Sequence, residues 1–231
     1  MDGGESNSST APRGLRARAI VVIAVAVAVD FLLAALRVPG GYSTRLLAAL
    51  AVWLVGVRLA PLQSIEDYPS WGRLGSSLRT CALVSLPLAG LAAIFMLVAR
   101  FVFDAGLLGG LRPPFMVADL EDALAYAVVG GIAAPIVEEF IYRGVVQPRL
   151  RSAIGPVAAI LVSGPLFWGL HWVYHQGVSP PNHLFAGWIL AYAFERGRSL
   201  LAPTLLHAAG NLVVIGFDLI AFRYPGLFDA A

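Results

Sequence analysis

Six polar side chains interrupt apolar segments that are long enough to lie in a membrane. They are Glu138, Glu139 and Arg143 in APIVEEFIYRG, His171 in FWGLH, and His207 and Asn211 in HAAGN. A charge at the bilayer centre costs at least about 2.5–3.5 kcal/mol on insertion scales, so polar groups in such segments mark functional sites by default. These six residues are therefore the first candidates for chemistry.

The spacing of these residues assigns them to helix faces. His207 and Asn211 are four residues apart, so they lie on one face about one turn apart. Glu139 precedes Arg143 by four residues, which is the favourable order for an ion pair on a helix. Glu138 is rotated about 100° from Glu139. We therefore expect Arg143 to offset Glu139, while Glu138 faces a polar interior.

One chemistry open to this set is hydrolysis by an activated water. Glu138 would act as a general base that takes a proton from the water, and His171 would help to hold that water. His207 and Asn211 would donate hydrogen bonds to the oxyanion that forms at a peptide carbonyl. This interpretation needs no metal ion.

A second chemistry is metal-dependent hydrolysis. Glu138, His171 and His207 form a His2Glu ligand set of the kind that binds zinc with an open position for water. No HExxH sequence is present, so the usual local signature of such a site is missing. A third interpretation is a polar network that only holds helices together, and the residues alone leave all three open.

Composition places these residues in a membrane protein. The 231-residue chain is 58% hydrophobic and only 13% charged, whereas soluble domains have about 25% charged residues. The sequence predicts an all-α polytopic membrane protein with about seven transmembrane helices and a buried polar active site formed by the last four. The expected spans are 19–38, 44–60, 79–102, 121–146, 153–174, 183–195 and 199–222.

The chain divides by composition into four parts. Residues 1–18 are expected to be a disordered cytoplasmic tail, 19–118 the N-terminal transmembrane helices, 119–222 a catalytic core, and 223–231 a short C-terminal tail. The distribution of arginines favours a cytoplasmic N-terminus. No basic run is interleaved with aromatic residues, so the sequence does not support nucleic-acid binding.

The three polar segments resemble the motifs of one protease family. EEFIYRG resembles the EExxxR motif of the CPBP family, which comprises CAAX-prenyl endopeptidases and bacteriocin-processing membrane proteases and is also called Abi. FWGLH, from Phe167 to His171, is similar to its FxxxH motif, and HAAGN, from His207 to Asn211, to its HxxxN motif. The motifs occur in the family's order, and the resemblance covers about residues 120 to 215.

The resemblance implies an intramembrane endopeptidase on an α-helical fold of about eight helices. By position it implies Glu138 as the base, His171 as its partner on the water, and His207 with Asn211 at the oxyanion. It makes Glu139, Arg143 and Phe167 supporting residues.

The resemblance also bears on cofactors, partners and location. A metal-free glutamate mechanism with no cofactor is favoured, and zinc stays open. The implied substrate is a protein or peptide anchored in the lipid bilayer. The short single-domain build favours a bacterial cytoplasmic membrane, and the sequence does not define an oligomeric state.

Two other functions fit the same residues. One is a non-catalytic membrane immunity or binding protein on this fold, and the other is a transporter that uses Glu and His as a proton relay. His175 and His183 flank a loop, where we expect solvated side chains, and Asp30 is expected to be structural.

Overall fold

The computed structural model describes residues 13–36, 41–61, 72, 74–102, 120–174 and 182–224. The predicted tail up to residue 12, His175 and the tail beyond Tyr224 lie outside these ranges. The described elements are helices, which we number α1 (Arg13–Leu36), α2 (Gly41–Leu59), α3 (Leu74–Val102), α4 (Leu120–Ile154), α5 (Pro156–Tyr174), α6 (Asn182–Gly197) and α7 (Leu201–Arg223).

These elements confirm the predicted all-α polytopic architecture. Within the described ranges, five helices, α1, α3, α4, α5 and α7, are long and apolar enough to cross a membrane by length and composition. The seven described helices follow the seven predicted spans in order. The largest differences in boundaries are at three helices: α1 begins at Arg13 rather than at residue 19, α3 begins at Leu74 rather than at residue 79, and α4 continues to Ile154 rather than ending at residue 146.

Two segments of helix α4 depart from α-helical winding. It is α-helical over Leu120–Val128, Ala134–Glu139 and Gln147–Ile154, and π-helical over Val129–Ala133 and Phe140–Val146. Wide turns of this kind are often found at functional sites. The helix ends at Gly155, whose φ of 86° lies in the left-handed region that glycine adopts readily, and Pro156 begins α5.

The chain forms two compact units, which we describe separately. The first unit comprises Met1–Pro69 and Phe140–Ala191, and the second comprises Ser70–Glu139 and Tyr192–Ala231. The boundary between the units therefore falls inside α4, between Glu139 and Phe140, and inside α6, between Ala191 and Tyr192.

Small side chains dominate the core of the first unit. The buried residues of this core are Ala19, Val22, Ala26, Ala60, Val145, Val146, Leu150 and Ala159. They bring α1 against the second half of α4 and against α5. Small residues allow helix backbones to approach closely, which is how membrane helices gain packing energy without a hydrophobic drive between them.

Glycines produce a second close approach in the first unit, between α5 and α6. A Cβ atom added to Gly187 would lie 2.9 Å from the Gly164 Cα atom, so no larger residue fits there without movement. The Trp188 indole N–H donates to the Leu161 carbonyl at 3.0 Å across the same pair of helices. This contact positions the Gly187 carbonyl, which accepts a hydrogen bond from Arg143 of α4.

In the second unit the start of α4 packs against α7. Ala123 and Ile215 are buried there, and Leu219 packs against them. Further along the same pair, a Cβ atom on Gly131 would meet the Leu212 side chain at 2.6 Å. Glycine at position 131 therefore allows α7 to lie close to α4 at Leu212, one residue after Asn211.

Candidate active site

The two motif glutamates of α4 meet one histidine of α7 in the second unit. The His207 Nδ1 atom lies 2.9 Å from Glu139 Oε1, and its Nε2 atom lies 4.0 Å from Glu138 Oε2. All three residues are buried, with exposed fractions of 5% for Glu138, 0% for Glu139 and 9% for His207. A single imidazole therefore lies between two carboxylates in a site with little access to solvent.

Hydrogen-bonding roles in this cluster follow from the chemistry of its groups. An ionised carboxylate can only accept, so the His207 Nδ1 atom must carry the hydrogen that it shares with Glu139. The separation between Nε2 and Glu138 is too long for a direct hydrogen bond. A water molecule can bridge polar atoms at such a distance, so this geometry suits a water bound between His207 and Glu138.

The structure gives Glu139 a partner that residue spacing did not predict. Spacing along the chain favours Arg143, and that pairing stays a prediction. The structure adds His207, on another helix, as a partner at hydrogen-bonding distance. The chain becomes π-helical at Phe140, directly after Glu139, where a turn holds more residues than in an α-helix.

Asn211 of α7 bonds to α4 at Gly130, in the π-helical turn that precedes the glutamates. Its Nδ2 atom donates to the Gly130 carbonyl at 2.7 Å. In the π-helical turn the Ala134 N–H bonds to the Val129 carbonyl, five residues earlier. The next donor in this pattern would be residue 135, which is proline and has no N–H. Asn211 therefore supplies the hydrogen bond that Pro135 cannot give to Gly130.

In the first unit, α4 bonds to two backbone carbonyls of α6. The Arg143 Nη2 atom donates to the Gly187 carbonyl at 2.9 Å, and the Gln147 Nε2 atom donates to the Ala191 carbonyl at 3.0 Å. Both side chains are fully buried. The sequence prediction did not include Gln147, because the fourth predicted span ends at residue 146. A polar side chain beside an apolar segment was the sequence signal that could have indicated it.

His171 is held in the first unit by groups on two helices. Its Nδ1 atom lies 2.9 Å from the Phe167 carbonyl, one turn earlier on α5. The Phe167 ring, which is buried, lies with its centroid 4.5 Å from that of His171, and the guanidinium carbon of Arg143 lies 5.2 Å from the Phe167 centroid. Arg143, Phe167 and His171, which the motifs predicted, therefore form a row of contacts in which Phe167 lies between the other two.

Sequence reasoning did not find two other partners in the first unit. The ring of His183, expected to be solvated, stacks on His171 with centroids 4.1 Å apart. Tyr142, inside the first motif, donates from its hydroxyl to Asp30 Oδ2 at 3.3 Å. Neither contact has a local sequence signal, because each joins residues on different helices.

The structure thus gathers the predicted residues into two groups. The second unit brings together Glu138, Glu139, His207 and Asn211, and the first unit brings together Arg143, Phe167 and His171. Within each unit, no three His, Cys, Asp or Glu side chains among the described residues are grouped so that they could hold a metal ion.

Comparison with known proteins identifies one family. The model of type II CAAX prenyl endopeptidase Rce1-like proteins matches residues 120–213. This segment begins with α4, ends in α7, and contains all three motifs. Neither the comparison with curated proteins nor that with solved structures gives a match.

Proposed function

We propose that this integral membrane protein hydrolyses a peptide bond in a membrane-anchored protein or peptide, because residues 120–213 match the Rce1-like family of type II CAAX prenyl endopeptidases. The observation that carries the proposal is the buried cluster of Glu138, Glu139 and His207 inside that domain. Two acids around one imidazole supply a base and a charged hydrogen-bond donor where the bilayer excludes bulk water.

In the proposed reaction Glu138 takes a proton from the attacking water as its oxygen bonds to the substrate carbonyl carbon, and returns that proton to the leaving nitrogen when the C–N bond breaks. The order of the motifs supports His171 as a second ligand of that water. The carbonyl oxygen of the substrate becomes an oxyanion, which His207 and Asn211 stabilise by donating hydrogen bonds. The Asn211 amide nitrogen carries two hydrogens, so it can donate to Gly130 and to the substrate together.

The hydrogen bond to Glu139 determines which form of His207 can act in this scheme. Its Nδ1–H is already shared with Glu139, so donation to the oxyanion must come from Nε2. Both nitrogens carry hydrogen only in the imidazolium form. Glu139 then provides the opposite charge that this buried cation needs. We therefore assign Glu139 to His207 and Glu138 to the water.

Cleavage by purified protein tests this proposal. Wild type and Glu138→Gln, in detergent or liposomes, should be incubated with a library of membrane-anchored peptides with and without chelator, while metal content is measured. We expect chelator-resistant cleavage by wild type and none by Glu138→Gln, because the amide cannot accept the proton. The variant should keep the wild-type unfolding temperature, since the two side chains have nearly the same shape.

Other outcomes of this experiment would point elsewhere. Stoichiometric zinc that is lost in Glu138→Gln would make Glu138, His171 and His207 ligands of a metalloprotease. Full activity of Glu138→Gln would remove Glu138 from the role of base. If wild type cleaves nothing, a binding protein or a proton-coupled transporter on this fold becomes the better interpretation.

We further propose a bacterial cytoplasmic membrane as the location, with the N-terminus on the cytoplasmic side. The proposal rests on the arginine distribution. Reporter fusions at the N-terminus, active on only one side of the membrane, would decide the orientation. A reporter active on the outer side would contradict it.

A further inference from the structure

His183 makes a contact with His171 that the three motifs do not include. It is the second residue of α6, and its ring stacks on His171 with centroids 4.1 Å apart and planes 18° from parallel. His171 lies near the end of α5, so the end of one helix and the start of the next bring the rings together.

The hydrogen bond of His171 already selects its tautomer. The Phe167 carbonyl can only accept, so the Nδ1 atom at 2.9 Å carries the hydrogen. In the neutral ring the lone pair is then on Nε2, which can accept a hydrogen bond from a water. This hydrogen bond fixes one ring nitrogen, and the His183 ring stacked on the face of the imidazole resists tilting of its plane and therefore of the direction of Nε2.

We propose that His183 is a positioning residue for His171, holding the imidazole plane and with it the direction in which Nε2 can accept a hydrogen bond from the attacking water. This inference rests on the proposed function, in which His171 helps to hold that water. The stacked face, rather than the nitrogens of His183, provides the effect. Phenylalanine at position 183 should therefore replace histidine, and alanine should not.

The experiment compares His183→Phe and His183→Ala with a matched control, Phe185→Ala. Phe185 lies in the same turn of α6 as His183 and is exposed. Its ring centroid lies 5.8 Å from that of Trp188. Two quantities are measured on the full-length protein in detergent. The first is the nitrogen-15 chemical shifts of the His171 ring, assigned with His171→Gln. The second is kcat and KM for a peptide that wild type cleaves.

We expect His183→Ala to move the His171 nitrogen shifts away from their wild-type values, because the ring loses the neighbour that holds its plane while its tautomer is still set by the Phe167 carbonyl. Its kcat should fall about 10- to 100-fold with little change in KM, as for a misplaced catalytic group. His183→Phe and Phe185→Ala should keep both the shifts and kcat near wild-type values.

Two results would overturn the inference. Unchanged His171 shifts in His183→Ala would mean that His183 does not hold the ring. A loss of kcat as large in His183→Phe as in His183→Ala would assign the effect to the nitrogens of His183 instead. If wild type cleaves no peptide, the proposed function fails, and the chemical shifts alone still decide whether His183 positions His171.

Discussion

At the residue scale, His207 has one ring nitrogen 2.9 Å from Glu139 and the other 4.0 Å from Glu138. The shorter contact is a hydrogen bond between a buried donor and a buried carboxylate, which is stronger than a bond between neutral groups. The longer contact has room for a bridging water. Two neighbouring glutamates therefore contact one imidazole in different ways, and this difference is the basis of the different roles proposed for them.

The division of tasks predicts how a change at Glu139 differs from one at Glu138. Glu139→Gln should lower kcat by roughly 100-fold, the size of a lost oxyanion donor, because an amide carries no charge to stabilise the His207 imidazolium. Glu138→Gln should abolish cleavage. Both variants are measured by kcat on the same peptide.

Glu195→Gln is the matched control for this comparison. Glu195 is in α6 of the second unit and pairs with Arg198 at 3.6 Å, with exposed fractions of 10% for Glu195 and 29% for Arg198. Its change should leave kcat unaltered, because this ion pair lies outside the cluster of Glu138, Glu139 and His207. Wild-type turnover in Glu139→Gln would show that His207 does not need this counter-charge.

At the scale of the element, the wide turn of α4 over Val129–Ala133 depends on three residues. Gly131 admits Leu212 of α7, and Pro135 leaves the Gly130 carbonyl without its backbone donor. Asn211 fills that place. Glu138 and Glu139 follow this turn by only a few residues. The hydrogen bond from Asn211 therefore helps to set the direction in which their side chains leave α4.

This account predicts that Pro135 and Asn211 are energetically coupled. Asn211→Ala should destabilise the protein by about 1–3 kcal/mol, the cost of a buried carbonyl left without a donor. In a Pro135→Ala background residue 135 regains an N–H, so the same change should cost less. Unfolding temperatures of the four proteins of the double-mutant cycle, measured in detergent, give the coupling.

Pro87, inside α3 of the same unit, provides the control. Pro87→Ala combined with Asn211→Ala should be additive within about 0.5 kcal/mol, as for independent sites. Additivity in the Pro135 cycle as well would mean that Asn211 does not replace the missing donor of Pro135.

At the scale of the whole molecule, helices outside the family match support the motif helix. Arg45 of α2 donates to both carboxylate oxygens of Asp30 of α1, at 2.7 and 3.1 Å. Tyr142 of α4 also donates to Asp30. The ion pair is buried, with exposed fractions of 3% for Asp30 and 5% for Arg45, so each charge depends on the other. Asp30 thus has the structural role expected from the sequence.

Replacing one member of this ion pair should lower the free energy of unfolding more than replacing both members. Asp30→Asn or Arg45→Gln alone should each lower the free energy of unfolding by about 3–5 kcal/mol, because one buried charge is left alone. The double variant should recover most of that loss. Tyr142→Phe should cost about 1.5–3 kcal/mol, the value of one hydrogen bond to a charged group.

Thermal unfolding in detergent measures these differences, with Arg58→Gln as the control. Arg58 is on α2, like Arg45, but is exposed, so its change should stay within about 0.5 kcal/mol of wild type. A double variant no more stable than either single variant would show that the charges are not paired energetically.

The sequence by itself determined the class of fold and the identity of the polar residues. Apolar runs of membrane-spanning length predict helices wherever they occur, because a backbone in lipid must satisfy its own hydrogen bonds. The polar residues of the three motifs stand out because each is costly in such a run. Their order and spacing are local properties, and they match the segment that the Rce1-like family model covers.

Only the tertiary structure decided which groups these residues contact. His207 bonds to Glu139, Asn211 bonds to Gly130, and His183 stacks on His171. Each contact joins residues on two helices or compensates for a change in winding. Such contacts depend on how helices approach at glycines such as Gly131 and on where α4 departs from regular α-helix, and neither follows from residue spacing along one helix.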